Sequence, residues 1–219
     1  MLPEIENQMR AIIDEVFPDS LSHGKFHVFR VVTTCKKIAA ELEQDEGTSI
    51  DMDILLAAAY LHDLGRLEAV QPYSSAMPAA ELPHAERSVA FARDILENMQ
   101  GYPAEKIPAV ESTIMAHSFS AGEAPATTIE AMILSDADKL DAMGAQGIIR
   151  TVAYSVELHR TLESTLAHFN EKIVNLNGLL WTEPAKKIGV AKQALLEQFM
   201  ADLVQGLRDT PRLESTSSR

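Results

Sequence analysis

The chain has 219 residues, 46% of them hydrophobic and 23% charged, the proportions of an ordinary globular protein, and a chain of this length can bury roughly 70% of its unfolded surface. Its one cysteine, Cys35, rules out an intrachain disulfide, and its longest apolar run, Ile54 to Leu61, is far short of the roughly 20 residues of a membrane span. A net charge of −13, from 19 bases and 32 acids, opposes binding along a nucleic-acid polymer but allows a small anion inside a locally cationic pocket.

Met1 to Arg10 carries acids and amides before its first base and no long apolar run follows, so it does not read as a secretory signal, and cytoplasm is the expected location. Nearly every segment has a helical period and none alternates like a strand. A first helix is predicted over about Pro3 to Phe17, stopped by Pro18-Asp19-Ser20. The second runs from near Ser22 to about Gln44 on the stripe Val28, Val31, Val32, Cys35, Ile38, Ala39 and Leu42, with Gly47 as breaker. Ser49 or Asp51 caps a third, which ends near His62.

Leu64 to Leu82 is irregular, broken by Pro72, Pro78 and Pro83. Helices follow from His84 to near Gly101 and from Pro103 to about His117, then a small-residue loop from Ser118 to Pro125. Thr127 or Thr128 opens a helix to about Met143, Gly144 and Gly147 interrupt, and further helices reach about Arg160, Leu176 and Leu207. Residues 209–219 form a polar tail expected to be frayed or disordered. Neither a repeat nor a linker stands out, so the prediction is all-α and one domain over residues 1–208, with a core over about 22–145 and C-terminal helices over about 146–208.

Chemistry concentrates in three places. His62-Asp63 closes the most apolar helix, and His62 follows Leu55 by seven and Ala58 by four, which points it inward. A buried aspartate there needs a charge partner. His27 shares the inner stripe of the second helix with Val31, Thr34 and Ile38, and Arg30 follows it by three. In Ser135-Asp136-Ala137-Asp138-Lys139-Leu140-Asp141, three acids follow an apolar run. Asp138 and Asp141 share a face, whereas Asp136 lies about 200° round from Asp138. Two imidazoles and two carboxylates on inner faces suit one divalent cation, Mn²⁺, Fe²⁺, Mg²⁺ or Zn²⁺, with positions left for water and substrate oxygens.

The order His27, His62-Asp63, Asp138 resembles the H…HD…D signature of the HD superfamily of metal-dependent phosphohydrolases. The likeness extends through Leu21 to Val31, Ala58 to Arg66, Ala116 to Ser120, Asp136 to Ala145 and His168-Phe169…Lys172, which are similar to stand-alone bacterial HD hydrolases. It implies an HD-type helical bundle with the metal between core helices, His27, His62, Asp63 and Asp138 as ligands, and a small phosphorylated substrate, with nucleotides leading.

Gly24 stands where many relatives carry an acid, which puts a role for His23 beside the first metal-ligand histidine in doubt, and Arg66 replaces a frequent lysine yet can hold phosphate bidentately. Arg66, Lys139 and His117 are the candidates to neutralise charge on a phosphoryl group, with His84 also expected at the substrate, and Asp63 or Asp141 would take a proton from water. Gly101-Tyr102-Pro103 precedes His117, and His117 lacks a histidine neighbour, so the cyclic dinucleotide phosphodiesterase branch does not fit. One ion is expected. A di-iron oxygenase using His84 and His117 and a non-catalytic nucleotide sensor are the alternatives, and the oligomeric state is open.

Overall fold

The structure, a computed structural model, describes residues 1–67, 70, 81–117 and 125–209. Most of the segment predicted as irregular, the loop after His117 and residues 210–219 of the tail lie outside the described residues. The described residues are all-helical, with nine α-helices and no strand.

These are α1 (Pro3–Val16), α2 (Lys25–Glu46), α3 (Met52–Leu61), α4 (His84–Asn98), α5 (Ile107–Met115), α6 (Ile129–Asp141), α7 (Gly144–Glu157), α8 (Leu162–Glu171) and α9 (Glu183–Asp209). Short 3₁₀ turns lie at Leu64–Arg66, Ala104–Lys106 and Ile173–Leu179. The last turn replaces the end of the long helix expected to run to Leu176, and Asp209, assigned to the tail, is still helical.

Local chemistry explains most of the boundaries. The Asp51 side chain accepts from the backbone N–H groups of Asp53 and Ile54 and caps α3, and the Thr128 hydroxyl accepts from Ala131 N and caps α6. Gly47 ends α2 at φ 63°, a left-handed conformation that glycine adopts at little cost. Ser22 does not start α2. Its hydroxyl donates to the Glu157 carboxylate on α7, 2.7 Å away, and α2 begins after Gly24.

A buried apolar cluster runs through the bundle and includes Val28, Val31 and Ile38 of α2, Leu55 and Leu61 of α3, Phe91 of α4, Ile114 of α5 and Leu134 of α6. Helix α2 packs on α3 and α6, α3 on α5 and α6, and α4 on α5, while α7 and α9 pack together and α9 also covers part of α6. The stripe predicted for α2 is buried in full. No helix among the described residues is long and apolar enough to cross a membrane.

Candidate metal centre and adjoining cavity

The start of α2, the end of α3 and the last turn of α6 meet at the acidic histidine cluster. His27 lies in the first turn of α2, His62 caps the C-terminal end of α3, Asp63 follows it, and Asp138 projects from α6. His27, His62 and Asp63 are all buried and offer ligand atoms within 4.8 Å of one another. The Nε2 atoms of His27 and His62 are 3.3 Å apart, and His27 Nε2 is 3.4 Å from Asp63 Oδ2 and 3.5 Å from Asp138 Oδ1. Asp138 thus approaches from the α6 side through His27.

The outer nitrogens fix what the inner ones present. His62 Nδ1 is 2.9 Å from the Ala59 carbonyl, which only accepts, so the proton sits on Nδ1 and the neutral ring turns the Nε2 lone pair inward. His117 Nδ1 likewise donates to the Ile114 carbonyl, which turns Nε2 toward the cluster. His27 Nδ1 donates to Asp141 Oδ2 at 2.7 Å. Nitrogen lone pairs and carboxylate oxygens therefore converge on one point, an acceptor-rich arrangement that requires a proton or a cation at its centre. The donor set of His27, His62 and Asp63 could hold a divalent ion, with Asp138 Oδ1 beside His27.

Electrostatics agree with that need. Burial pushes His62 down to about 4, so its ring is neutral near pH 7. At His27, burial and the Arg150 charge act downward, but hydrogen bonds to Asp141 and Asp63 outweigh them and raise its pKa. Burial acts against ionisation of Asp63 and Asp138, yet the Arg66 charge and nearby imidazoles at Asp63, and His27 and His62 at Asp138, hold both lower than usual.

Asp141 shares the inner face of α6 with Asp138 but meets the opposite edge of His27. Its carboxylate accepts from His27 Nδ1, from Arg30 through two nitrogens at 2.7 and 3.0 Å, and from Arg150 at 2.9 Å. Asp136 faces away, as its angular position predicts. Its oxygens accept from Trp181 N, Thr182 N and the Thr182 hydroxyl, each at 2.8 Å, which fastens the start of α9. Lys139 is turned from the cluster as well: its ammonium is bonded to the Ser135 hydroxyl and carbonyl. One residue on from Asp138 is about 100° round the helix, and that rotation carries Lys139 to another face.

A second group adjoins the first through Asp63. His84 and His117 lie with their Nε2 atoms 3.4 Å apart, each 3.9 Å from Asp63 Oδ1. That oxygen already accepts from Arg66 Nε at 2.7 Å, and an Arg66 terminal nitrogen is 3.4 Å from His84 Nε2. Gly65 makes this closeness possible. A Cβ there would lie 2.0 Å from the His84 carbonyl, and Gly65 N donates to the Ser88 hydroxyl, which donates in turn to the His84 carbonyl. The start of α4 thus rests on the backbone that follows Asp63.

Arg66 and His84 also line a cavity of about 270 Å³ that opens beside the cluster, together with His23, Arg150, His168 and Lys172. Tyr154 lines it too and packs edge-on against the His23 ring, centroids 5.0 Å apart. Arg150 and Tyr154 carry no sequence signal, because the turn after Asp141 is what folds α7 back over the site. His168 and Lys172 could be found only through the resemblance.

An all-helical bundle with this cluster defines an HD-type domain. The HD domain family model matches residues 26–143, more than half of the chain, and the chain belongs to that family. It is similar to the uncharacterized protein YpgQ of Bacillus subtilis, 26% identical over 220 residues and covering 96% of each protein. The crystal structure of the Lin1889 protein of Listeria innocua superposes with a TM-score of 0.69 at 28% identity, covering 95% of this chain and 98% of that one. YpgQ crystallised in complex with ADP has the same fold, with a TM-score of 0.68 at 23% identity over 93% of this chain and 98% of that one.

Proposed function

We propose that this chain is a metal-dependent phosphohydrolase that cleaves a phosphate ester or anhydride of a small molecule, with nucleotides as the substrate class. The observation that supports it most is the meeting of an acceptor-rich cluster with a cavity lined by Arg66, Arg150 and Lys172 in a chain of net charge −13. The bound ADP of the YpgQ crystal structure favours a nucleotide. A divalent cation bound by His27, His62, Asp63 and Asp138 supplies Lewis acidity and a water acidified toward neutral pH.

The side chains divide the remaining work. Arg66, Arg150 and Lys172 receive the phosphoryl oxygens and hold the reacting group in place, and His84 and His117 border it. Arg66 rests on Asp63 Oδ1, and a phosphoryl group that draws the guanidinium away leaves that oxygen free to accept the proton of the attacking water. Asp141 has its lone pairs committed to His27, Arg30 and Arg150, so it orients His27 and leaves the proton to Asp63.

A screen of nucleotides with metal-reconstituted protein, scoring phosphate and pyrophosphate separately, tests this reading. Metal-dependent release of either product is expected. Nucleotide binding without turnover under every metal would contradict hydrolysis and leave a sensor. The Asp63, His84 and His117 group favours a second reading, a di-iron oxygenase. Two bound irons with oxygen consumption distinguish it, and Arg66 seated on the shared oxygen favours the single ion.

A further inference from the structure

A second cavity, about 250 Å³, lies on the other side of Asp141, where α2, α6 and α9 come together. It is nearly as large as the first. Arg30, Thr34 and Lys37 line it from one face of α2 at helical spacing, and Lys192 lines it from α9. Leu140 and Ile188 add an apolar side. Among the described residues the only acid in the lining is Asp141, which already faces Arg30 and Arg150. Among the described residues Lys37 and Lys192 make no ion pair, and Lys192, half-buried, donates to the Met143 carbonyl at 3.3 Å. A surplus of positive charge is thus held in one concave place on an acidic protein.

We infer that this cavity is a second binding site for a phosphorylated small molecule of nucleotide size, and that its occupation is read by the metal centre through Arg30, Asp141 and His27. Lys37, Lys192 and Arg30 would meet the phosphoryl oxygens, Thr34 would donate to one of them, and Leu140 and Ile188 would cover the apolar remainder. Arg30 is shared between the ligand and Asp141. A phosphoryl group that recruits Arg30 strips one donor from Asp141, whose carboxylate then accepts more strongly from His27 Nδ1. That makes Nε2 a better donor to a cation, so the ligand tightens metal binding, and by reciprocity the metal tightens the ligand. The inference depends on the nucleotide reading above only for its choice of probe.

Equilibrium dialysis of ADP, supplied as its non-hydrolysable α,β-methylene analogue, against the Mn²⁺-loaded full chain tests it, in wild type, in Lys37→Glu, and in Lys37→Glu with Lys192→Gln. Lys37 is exposed, so its variant is expected to keep the fold, which a thermal melt verifies. Two ADP equivalents per chain are expected in wild type, with the second weakened at least tenfold in Lys37→Glu and lost in the double variant, and pyrophosphate should displace both. Free Mn²⁺ measured by electron paramagnetic resonance should show ADP tightening the metal several-fold more in wild type than in the double variant. A single ADP equivalent in wild type, two undiminished equivalents in both variants, or a second equivalent that pyrophosphate does not displace would overturn the site. An equal Mn²⁺ response in wild type and double variant would overturn the link to the metal. Hydrolysis enters none of these readouts, so a failed turnover screen and a failed second site are separate results.

Discussion

Asp141 and Asp138 illustrate what a single residue's position does and does not reveal. Their spacing places both on one face of α6, and both do face His27, but periodicity is blind to which ring nitrogen each carboxylate meets. Asp138 faces Nε2 and the cluster, whereas Asp141 faces Nδ1 and two arginines. One of those, Arg150, lies nine residues on, in a helix whose path the sequence does not disclose. An Asp141→Asn variant keeps an acceptor oxygen but loses the charge that makes His27 a strong donor, so metal affinity should fall about 10- to 100-fold with the fold retained. Titration of metal into the apo variant, read beside its thermal melt, checks this. The place of Arg66 after Gly65 makes it a candidate for the substrate, and the structure adds that it leans on Asp63 at 2.7 Å. Arg66→Ala should retain metal yet lose roughly 2–4 kcal/mol of transition-state stabilisation, about 30- to 1,000-fold in kcat/KM. Wild-type steady-state kinetics in that variant would remove Arg66 from the reacting group.

The helices themselves were readable because their apolar stripes and caps are local. The stripe of α2, Asp51 as the cap of α3 and Thr128 as the cap of α6 all depend on neighbours within four residues. Ser22 looks like a helix start but is held by the distant Glu157, and the end of the helix expected to reach Leu176 is a 3₁₀ turn. Element-level packing also determines two outcomes. Gly65 allows α4 to rest on the turn after Asp63, so Gly65→Ala should overpack that contact and destabilise the protein by about 1–3 kcal/mol. Metal held by His27, His62 and Asp138 should largely remain, while His84 is displaced and turnover falls; a thermal melt with metal analysis and an activity assay reads all three. Asp136 fastens the start of α9, and its removal strands buried N–H groups. Asp136→Ala should therefore cost about 3 kcal/mol of stability while keeping bound metal, measured by denaturant unfolding and metal content.

Across the whole molecule, a chain of net charge −13 gathers Arg66, Arg150 and Lys172 at one cavity and Arg30, Lys37 and Lys192 at another. Bulk charge argued only against a polyanionic partner, and the pockets stayed hidden because their bases come from α2, the turn after α3, α7, the segment after α8, and α9. The proposed metal ligands stand out in the sequence for the opposite reason: His27, His62 and Asp63 lie on an inward face of an apolar helix or at its end, where burial without a charge partner would be costly. What the sequence left undecided is how the two histidine groups share Asp63. Metal per chain by plasma emission, in wild type, Asp138→Ala and His84→Ala, is the most direct measurement. One equivalent is expected in wild type and in His84→Ala, and close to none in Asp138→Ala. A full equivalent in Asp138→Ala, or two in wild type that fall to one in His84→Ala, would contradict a single ion held by His27, His62, Asp63 and Asp138.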